Sequence, residues 1–335
     1  MNNKIFYDKD ADLKYLKGRT VGIIGYGIQG RAQALNMRDS GLDVIIANRK
    51  DPYASTARKD GFRIEKIGDL ARKSDIVMML IPDQAQPGVY EEFVRGSLRP
   101  GSMLVFAHGY TLRYRSIKLP KDIDVAMLAP RMPGYHIRHY FQEGGGVPAF
   151  IDVAQDSSGA AKNKLLALAK AAGFTRAGVL SVSYKVETDL DLFTEQFLVA
   201  AIVRFVQAGF KFLVDERKYP AVPVLMELYA SGELAEVLKL GATYGIGGVF
   251  QKNASPTCQF GIASSFDKIG GGELEKMART ILRGINNGSF RKKLDREGNS
   301  GYPQVSRLWK KVDNKKLVEA QEWINKAFKT KGKSK

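Results

Sequence analysis

Cysteine is almost missing from this chain: Cys258 is the only one among 335 residues. An internal disulfide framework is thereby excluded, and a reducing, cytoplasmic setting is expected. No uninterrupted run approaches the roughly 18 uncharged apolar residues that a membrane span needs. The opening MNNKIFYDKD is charged where a secretory signal would carry an apolar stretch. Acids are in the minority, 35 against 52 lysines and arginines, for a net charge of +17. Such an excess attracts nucleic acid, anionic lipid or phosphorylated small molecules. The bases are scattered and no known nucleic-acid motif accompanies them, so a solvated basic surface is expected, with nucleic acid as the alternative partner. The densest run, KTKGKSK (329–335), has no apolar anchor and is expected to be a disordered basic tail. Apolar residues make up 44% of the chain, enough to fill two domains.

The segment TVGIIGYGIQGRAQALNMRDSG moves from a short apolar strand (21–24) into GxGxxG and then into a helical pattern. In that context Gly25 makes the tight turn, Gly27 lets the backbone approach a pyrophosphate, and Gly30 lets helix and strand pack closely. Tyr26, Ile28 and Gln29 belong to the same candidate cofactor loop, and the helix start supplies free N–H groups. A second strand follows at 43–49. Its end carries NRKDPYAST, where Arg49, Lys50 and Ser55 or Thr56 suit a ribose 2′-phosphate. NADPH is therefore the expected cofactor and NADH the alternative, with Asp51 dissenting. Apolar runs at 75–82 and 102–109 read as buried parallel strands, with further strands at 124–130 and 147–154 and a closing helix at about 160–172. The expectation is an α/β, Rossmann-like doubly wound domain over 1–182. His108, Pro130 and Arg131, at or just after strand ends, are candidates for its ligand crevice.

From 183 to 328 the pattern turns helical. The run DLFTEQFLVAAIVRFVQAGFKFLVDE is apolar round most of its circumference and is expected to be a buried helix. Further helices are expected over 221–245, 274–290 and 315–328. Glu187, Asp191 and Glu195 are spaced by four and would share one stripe, where like charges oppose the helix. Two explanations stand on spacing alone. One is a divalent cation such as Mg²⁺, a hard ion that takes carboxylate oxygens. The other is N-terminal capping with salt bridges to nearby bases.

Taken in order, GYGIQGRAQALNMRDSG, IPDQAQPGVYEE, FAHGY, PRMPGY, GGGVPAFI, TDLDLFTEQ, NASPTCQFG and ILRGINNGSF resemble segments of the ketol-acid reductoisomerases. Those enzymes of branched-chain amino-acid synthesis depend on NADPH and Mg²⁺. The resemblance covers about residues 5–328. It implies the short form of the family, in which a knotted helical domain binds metal and substrate and is completed by dimerisation. It further implies that Asp191 and Glu195 bind metal, with Asp191 bridging two ions, and that Glu227 serves the second ion of a partner subunit. Ser255 would hold the substrate carboxylate, and His108 would lie beside the nicotinamide. The substrate would be a small 2-hydroxy-3-keto acid. Four positions depart from the family pattern: Ser231 replaces a second glutamate, Arg131 a lysine, Met132 a glycine and Tyr135 a histidine. These changes put the isomerase step in question. The alternatives are a paralogue acting only as a 2-keto acid reductase, or a non-catalytic basic protein on the same fold.

Overall fold

The computed structural model describes residues 4–328, so the 329–335 tail lies outside the described residues. The chain divides into two compact units, 1–190 and 191–335.

The first unit is built on one sheet. Its strands are β1 (Ile5–Phe6), β2 (Thr20–Ile24), β3 (Asp43–Ala47), β4 (Arg63–Ile64), β5 (Ile76–Met79), β6 (Met103–Phe106), β7 (Asp124–Pro130), β8 (Ala149–Gln155) and β9 (Val179–Ser181). They lie in the order β1-β9-β8-β7-β6-β5-β2-β3-β4. From β4 through β7 all neighbours are parallel; β8 runs antiparallel to β7, and β1 antiparallel to β9. The sheet is therefore mixed at one side, whereas its middle is the parallel block expected from the apolar runs.

Those runs are continuous because both faces of the sheet are covered. Alternate residues enter opposite cores: Ile76, Met78, Met103 and Val105 join one, while Val77, Met79, Leu104 and Phe106 join the other. Each fully buried side chain of this size contributes about 1.5–3 kcal/mol. The chain winds outward from β2 in both directions, through β3 on one side and β5 on the other. That reversal opens a crevice at the carboxyl ends of the strands, where ligands bind in such sheets.

The second unit is helical. Tyr184–Glu216 forms one helix of 33 residues, with a widened π-type turn at Glu195–Val199. A small core gathers Phe210, Val214, Val224, Leu225, Leu317, Ala320 and Ile324. Three expectations need correction. The long apolar helix is not buried: Leu198, Val199, Ile202 and Phe205 are all exposed. It is also long and apolar enough, by composition, to cross a membrane. No uncharged run of that length occurs in it, as expected, since Glu195, Arg204 and Lys211 interrupt the segment.

The helix expected over 221–245 breaks at Gly232, whose φ of +87° is costly for any residue with a Cβ. Met226–Ala230 ends before the break and Glu233–Tyr244 begins after it. The helix expected over 274–290 runs Gly271–Asn286 and stops at Gly288, and a further helix starts at Ser289. Helices Ile246–Asn253, Pro256–Phe266 and Pro303–Val312 are additional to the expectation.

Candidate active site

The glycine loop sits at the reversal point. Helix α1 (Ile28–Asp39) begins straight after β2, with Gly27 as its cap and no side chain capping its first N–H groups. The three glycines have three different reasons to be glycine. Gly25 has φ +104°, and a Cβ there would lie 2.5 Å from the Leu80 carbonyl oxygen. A Cβ on Gly30 would collide with the Gly25 carbonyl oxygen, whereas one on Gly27 would meet nothing within 4 Å. Open space above a bare backbone beside uncapped helix N–H groups fits a pyrophosphate. Gly27→Ala should accordingly fold with an unchanged Tm yet bind NADPH at least about tenfold more weakly, a cost near 1.4 kcal/mol. Gly30→Ala should instead lower stability by about 2 kcal/mol or more. Thermal melts and cofactor titrations of the two variants separate these outcomes.

The rest of the loop is less uniform than its sequence suggested. Tyr26 turns into the core: its ring is fully buried against Phe62, its hydroxyl donates to Asp60 (2.8 Å), and its N–H donates to Asn48 (2.9 Å). It shapes the loop and offers no side chain to a ligand. Gln29 donates to the Met132 carbonyl (3.1 Å), tying α1 to the segment after β7. Ile28 projects outward, 68% exposed. After β3, Asp51 caps helix α2 (Pro52–Lys59) by accepting from Tyr53 and Ala54, and it also receives Arg49 Nε at 2.9 Å. The Arg49 bond and these N–H donors hold the Asp51 carboxyl below its usual range. Its dissent is thus partly structural, since the carboxylate is occupied locally. Arg49 is 88% exposed at the side chain, and Lys50 and Ser55 are exposed beside it.

At the carboxyl ends of β5, β6 and β7 the chain gathers Asp83, His108 and Arg131. His108 Nδ1 lies 2.9 Å from Asp83 Oδ2, and Nε2 lies 3.9 Å from Glu187 Oε2. Glu187 is fully buried; it accepts from the Gly109 N–H (2.8 Å) and from Arg131 (2.8 Å). A buried carboxylate is tolerable only with such partners. The Arg131 guanidinium also lies over the Phe150 ring, 5.0 Å from its centroid. Asp189 pairs with Arg113 at 3.1 Å. Asp83 and Arg113 were absent from the expected site, and Glu187 was expected only as a member of the acid stripe. An acid immediately after an apolar strand, as in IPDQ, was the available signal for Asp83.

Two acids of this segment have arginine partners. Glu187 and Asp189 are held by arginines, which is the salt-bridge explanation. Asp191 and Glu195 follow on the helical unit, Asp191 half-buried and Glu195 exposed. In the same unit Glu227 is exposed, and Ser231 is exposed at the end of its helix. Ser255 caps Pro256–Phe266 through a bond from the Cys258 N–H. Among the described residues no group of three or more His, Cys, Asp or Glu side chains is arranged to hold a metal.

Two family models match the chain in order. The acetohydroxy acid isomeroreductase NADPH-binding domain covers residues 15–178, and the ketol-acid reductoisomerase C-terminal domain covers 184–330. The chain belongs to the ketol-acid reductoisomerase family. The curated ketol-acid reductoisomerase (NADP(+)) of Pyrobaculum calidifontis is 41% identical over 314 residues, spanning 93% of this chain and 94% of its own. The same enzyme of Pyrobaculum aerophilum is 37% identical, spanning 96% and 98%. Among solved structures, an NADH-preferring ketol-acid reductoisomerase from an uncultured archaeon aligns with a TM-score of 0.92 at 33% identity, over 98% of this chain and all of its own. Membership in the ketol-acid reductoisomerases accounts for the order of the units, a dinucleotide-binding sheet followed by helices. The relatives' names divide between NADP(+) and NADH, the same choice that Arg49, Lys50 and Asp51 pose here.

Proposed function

We propose that this chain is an NADPH-dependent ketol-acid reductoisomerase. It would convert 2-acetolactate-type 2-hydroxy-3-keto acids into 2,3-dihydroxy acids in branched-chain amino-acid biosynthesis. The observation that carries the reading is the match of both family domains, in order and nearly end to end.

When bound, NADPH supplies hydride and Mg²⁺ supplies Lewis acidity toward the substrate's hydroxyl and carbonyl oxygens. The chain's own residues would do the rest. Gly25, Gly27 and Gly30 shape the dinucleotide loop, and Arg49, Lys50 and Ser55 meet the 2′-phosphate. Asp191 and Glu195, one turn apart, are hard oxygen donors of the kind Mg²⁺ takes, and that ion commonly uses only one or two carboxylates with water and substrate. The donor set thus fits the metal. Ser255 accepts from the Cys258 N–H, and its hydroxyl hydrogen remains a donor that suits a substrate carboxylate. Arg131 keeps a fixed positive charge beside His108 but, unlike lysine, cannot give up its proton. The +17 charge would draw in both anionic ligands.

The exposed apolar face of Tyr184–Glu216 supports a homodimer or larger assembly, in which Glu227 would serve the partner's site. A second copy covering this face accounts for its composition without a membrane. The lone, exposed Cys258 suits a reducing cytoplasm.

One observation favours a second reading. Ser231 stands in place of a family glutamate, and the helix ends there, because Gly232 adopts a left-handed conformation. A hydroxyl cannot replace a carboxylate's charge, so a reductase that has lost isomerisation is the alternative. NADPH oxidation with 2-acetolactate and with 3-hydroxy-3-methyl-2-oxobutyrate, each with and without Mg²⁺, decides between them. Turnover of both substrates is expected. Turnover of the second alone would establish the reductase, and turnover of neither would overturn both readings.

A further inference from the structure

A run of hydrogen bonds backs His108 from the side away from Glu187. The Thr111 hydroxyl donates to Gln86 Oε1 (2.6 Å). Gln86 Nε2 donates to the Ile81 carbonyl (3.0 Å) and to Asp83 Oδ1 (3.2 Å), and Asp83 Oδ2 lies 2.9 Å from His108 Nδ1. Gln86 and Thr111 are both buried. The Gln86 amide has one sensible orientation: turned over, it would set its oxygen against two acceptors. Buried polar groups left facing like groups are costly, so Asp83 receives a donor at one oxygen and presents the other to the ring.

An ionised carboxylate has only lone pairs to offer. The 2.9 Å contact therefore calls for the proton on His108 Nδ1. On the other edge of the ring, the 3.9 Å between Nε2 and Glu187 Oε2 exceeds a hydrogen bond. Glu187 is already engaged by the Gly109 N–H and Arg131.

We propose that Asp83 is a positioning residue that holds His108 in its Nδ1–H tautomer, with Gln86 and Thr111 holding Asp83 in turn. Nε2 is then the ring atom that exchanges protons. Reduction of a ketone by hydride leaves an alkoxide that takes up one proton. The imidazolium can give that proton from Nε2 and return to the neutral Nδ1–H form that Asp83 holds. The catalytic consequence rests on the reading of the chain as a ketol-acid reductoisomerase, whereas the tautomer does not.

Nitrogen-15 spectra of histidine-labelled protein test both parts. The chain has three histidines, 108, 136 and 139, so the His108 signals are assigned by their loss in His108→Gln. In the neutral ring of the wild type, Nδ1 should carry the proton. Asp83→Asn can donate an amide hydrogen to Nδ1 and should shift the ring toward Nε2–H. With the substrate that needs only reduction, its kcat should fall about 10²-fold or more with little change in KM. Asp83→Glu should restore part of that loss. A wild-type His108 with its proton on Nε2 overturns the proposal, even if Asp83→Asn does not fold. So does an Asp83→Asn enzyme within about twofold of wild-type kcat. A wild type inactive on both substrates refutes the functional reading instead, and the spectra still decide the tautomer.

Discussion

Asp191→Asn should remove nearly all turnover of 2-acetolactate, by about 10³-fold or more. A Lewis-acid metal supplies several kcal/mol toward the transition state, and each 1.4 kcal/mol is a factor of ten. Asparagine keeps the size and one oxygen of the side chain but loses the charge that a divalent ion needs. The α/β unit has its own glycine loop, so NADPH binding should be unchanged within about twofold. Calorimetric titration with Mg²⁺ should show the loss directly, independently of turnover. Glu195→Gln should act in the same direction. The contrast with Asp189→Asn checks the assignment: Asp189 is already paired with Arg113, so its loss should cost no more than a part-exposed ion pair, about 1 kcal/mol or less. If Asp189→Asn matched Asp191→Asn in its effect on Mg²⁺ binding, the assignment of Asp191 to the metal would be wrong.

The partners of Glu187 mark the limit of what spacing could reveal. Glu187, Asp191 and Glu195 lie four residues apart, and a helix places such residues on one stripe whatever surrounds it. What Glu187 meets depends on groups elsewhere in the chain: Gly109 and Arg131 are 78 and 56 residues away. The strands were readable because their apolar runs are local and nearly every residue in them is buried. The glycine loop was readable because each glycine answers a local steric demand. The breaks at Gly232 and Gly288 were legible in principle, since both adopt positive φ. The apolar pattern on either side outweighed them. The long helix was misjudged for a different reason. An apolar circumference states that a helix needs covering, while the identity of the cover lies outside the segment and, if a second copy supplies it, outside the chain.

The largest stability effect is expected at the opposite end of the sheet from the crevice. Asp124, the first residue of β7, and Lys164 form a buried pair at 2.8 Å, with side-chain exposures of 0% and 6%. Asp124 also accepts from the Ser157 and Ser158 N–H groups (2.9 Å each) and from the Ser158 hydroxyl (2.7 Å). Burial by itself would raise its pKa. The Lys164 ammonium and the Ser158 donors outweigh burial and hold it below the ordinary 3.8. Asp124→Asn should cost about 3–5 kcal/mol, because it leaves Lys164 buried without a counter-charge. That is a large share of the 5–15 kcal/mol by which a domain of ordinary stability is folded. Adding Lys164→Met should recover much of the loss, since the uncompensated charge is then gone. The sign of the pH dependence follows from the lowered pKa. An aspartate more acidic in the folded state contributes its full stabilisation above the unfolded value, and that contribution disappears as pH falls through the folded one. Urea midpoints of the wild type should therefore carry an acid-side decline from this group that begins near pH 4 and is missing from the double variant. An Asp124→Asn protein as stable as wild type at neutral pH would mean that the serine donors, not the ion pair, anchor this end of the sheet.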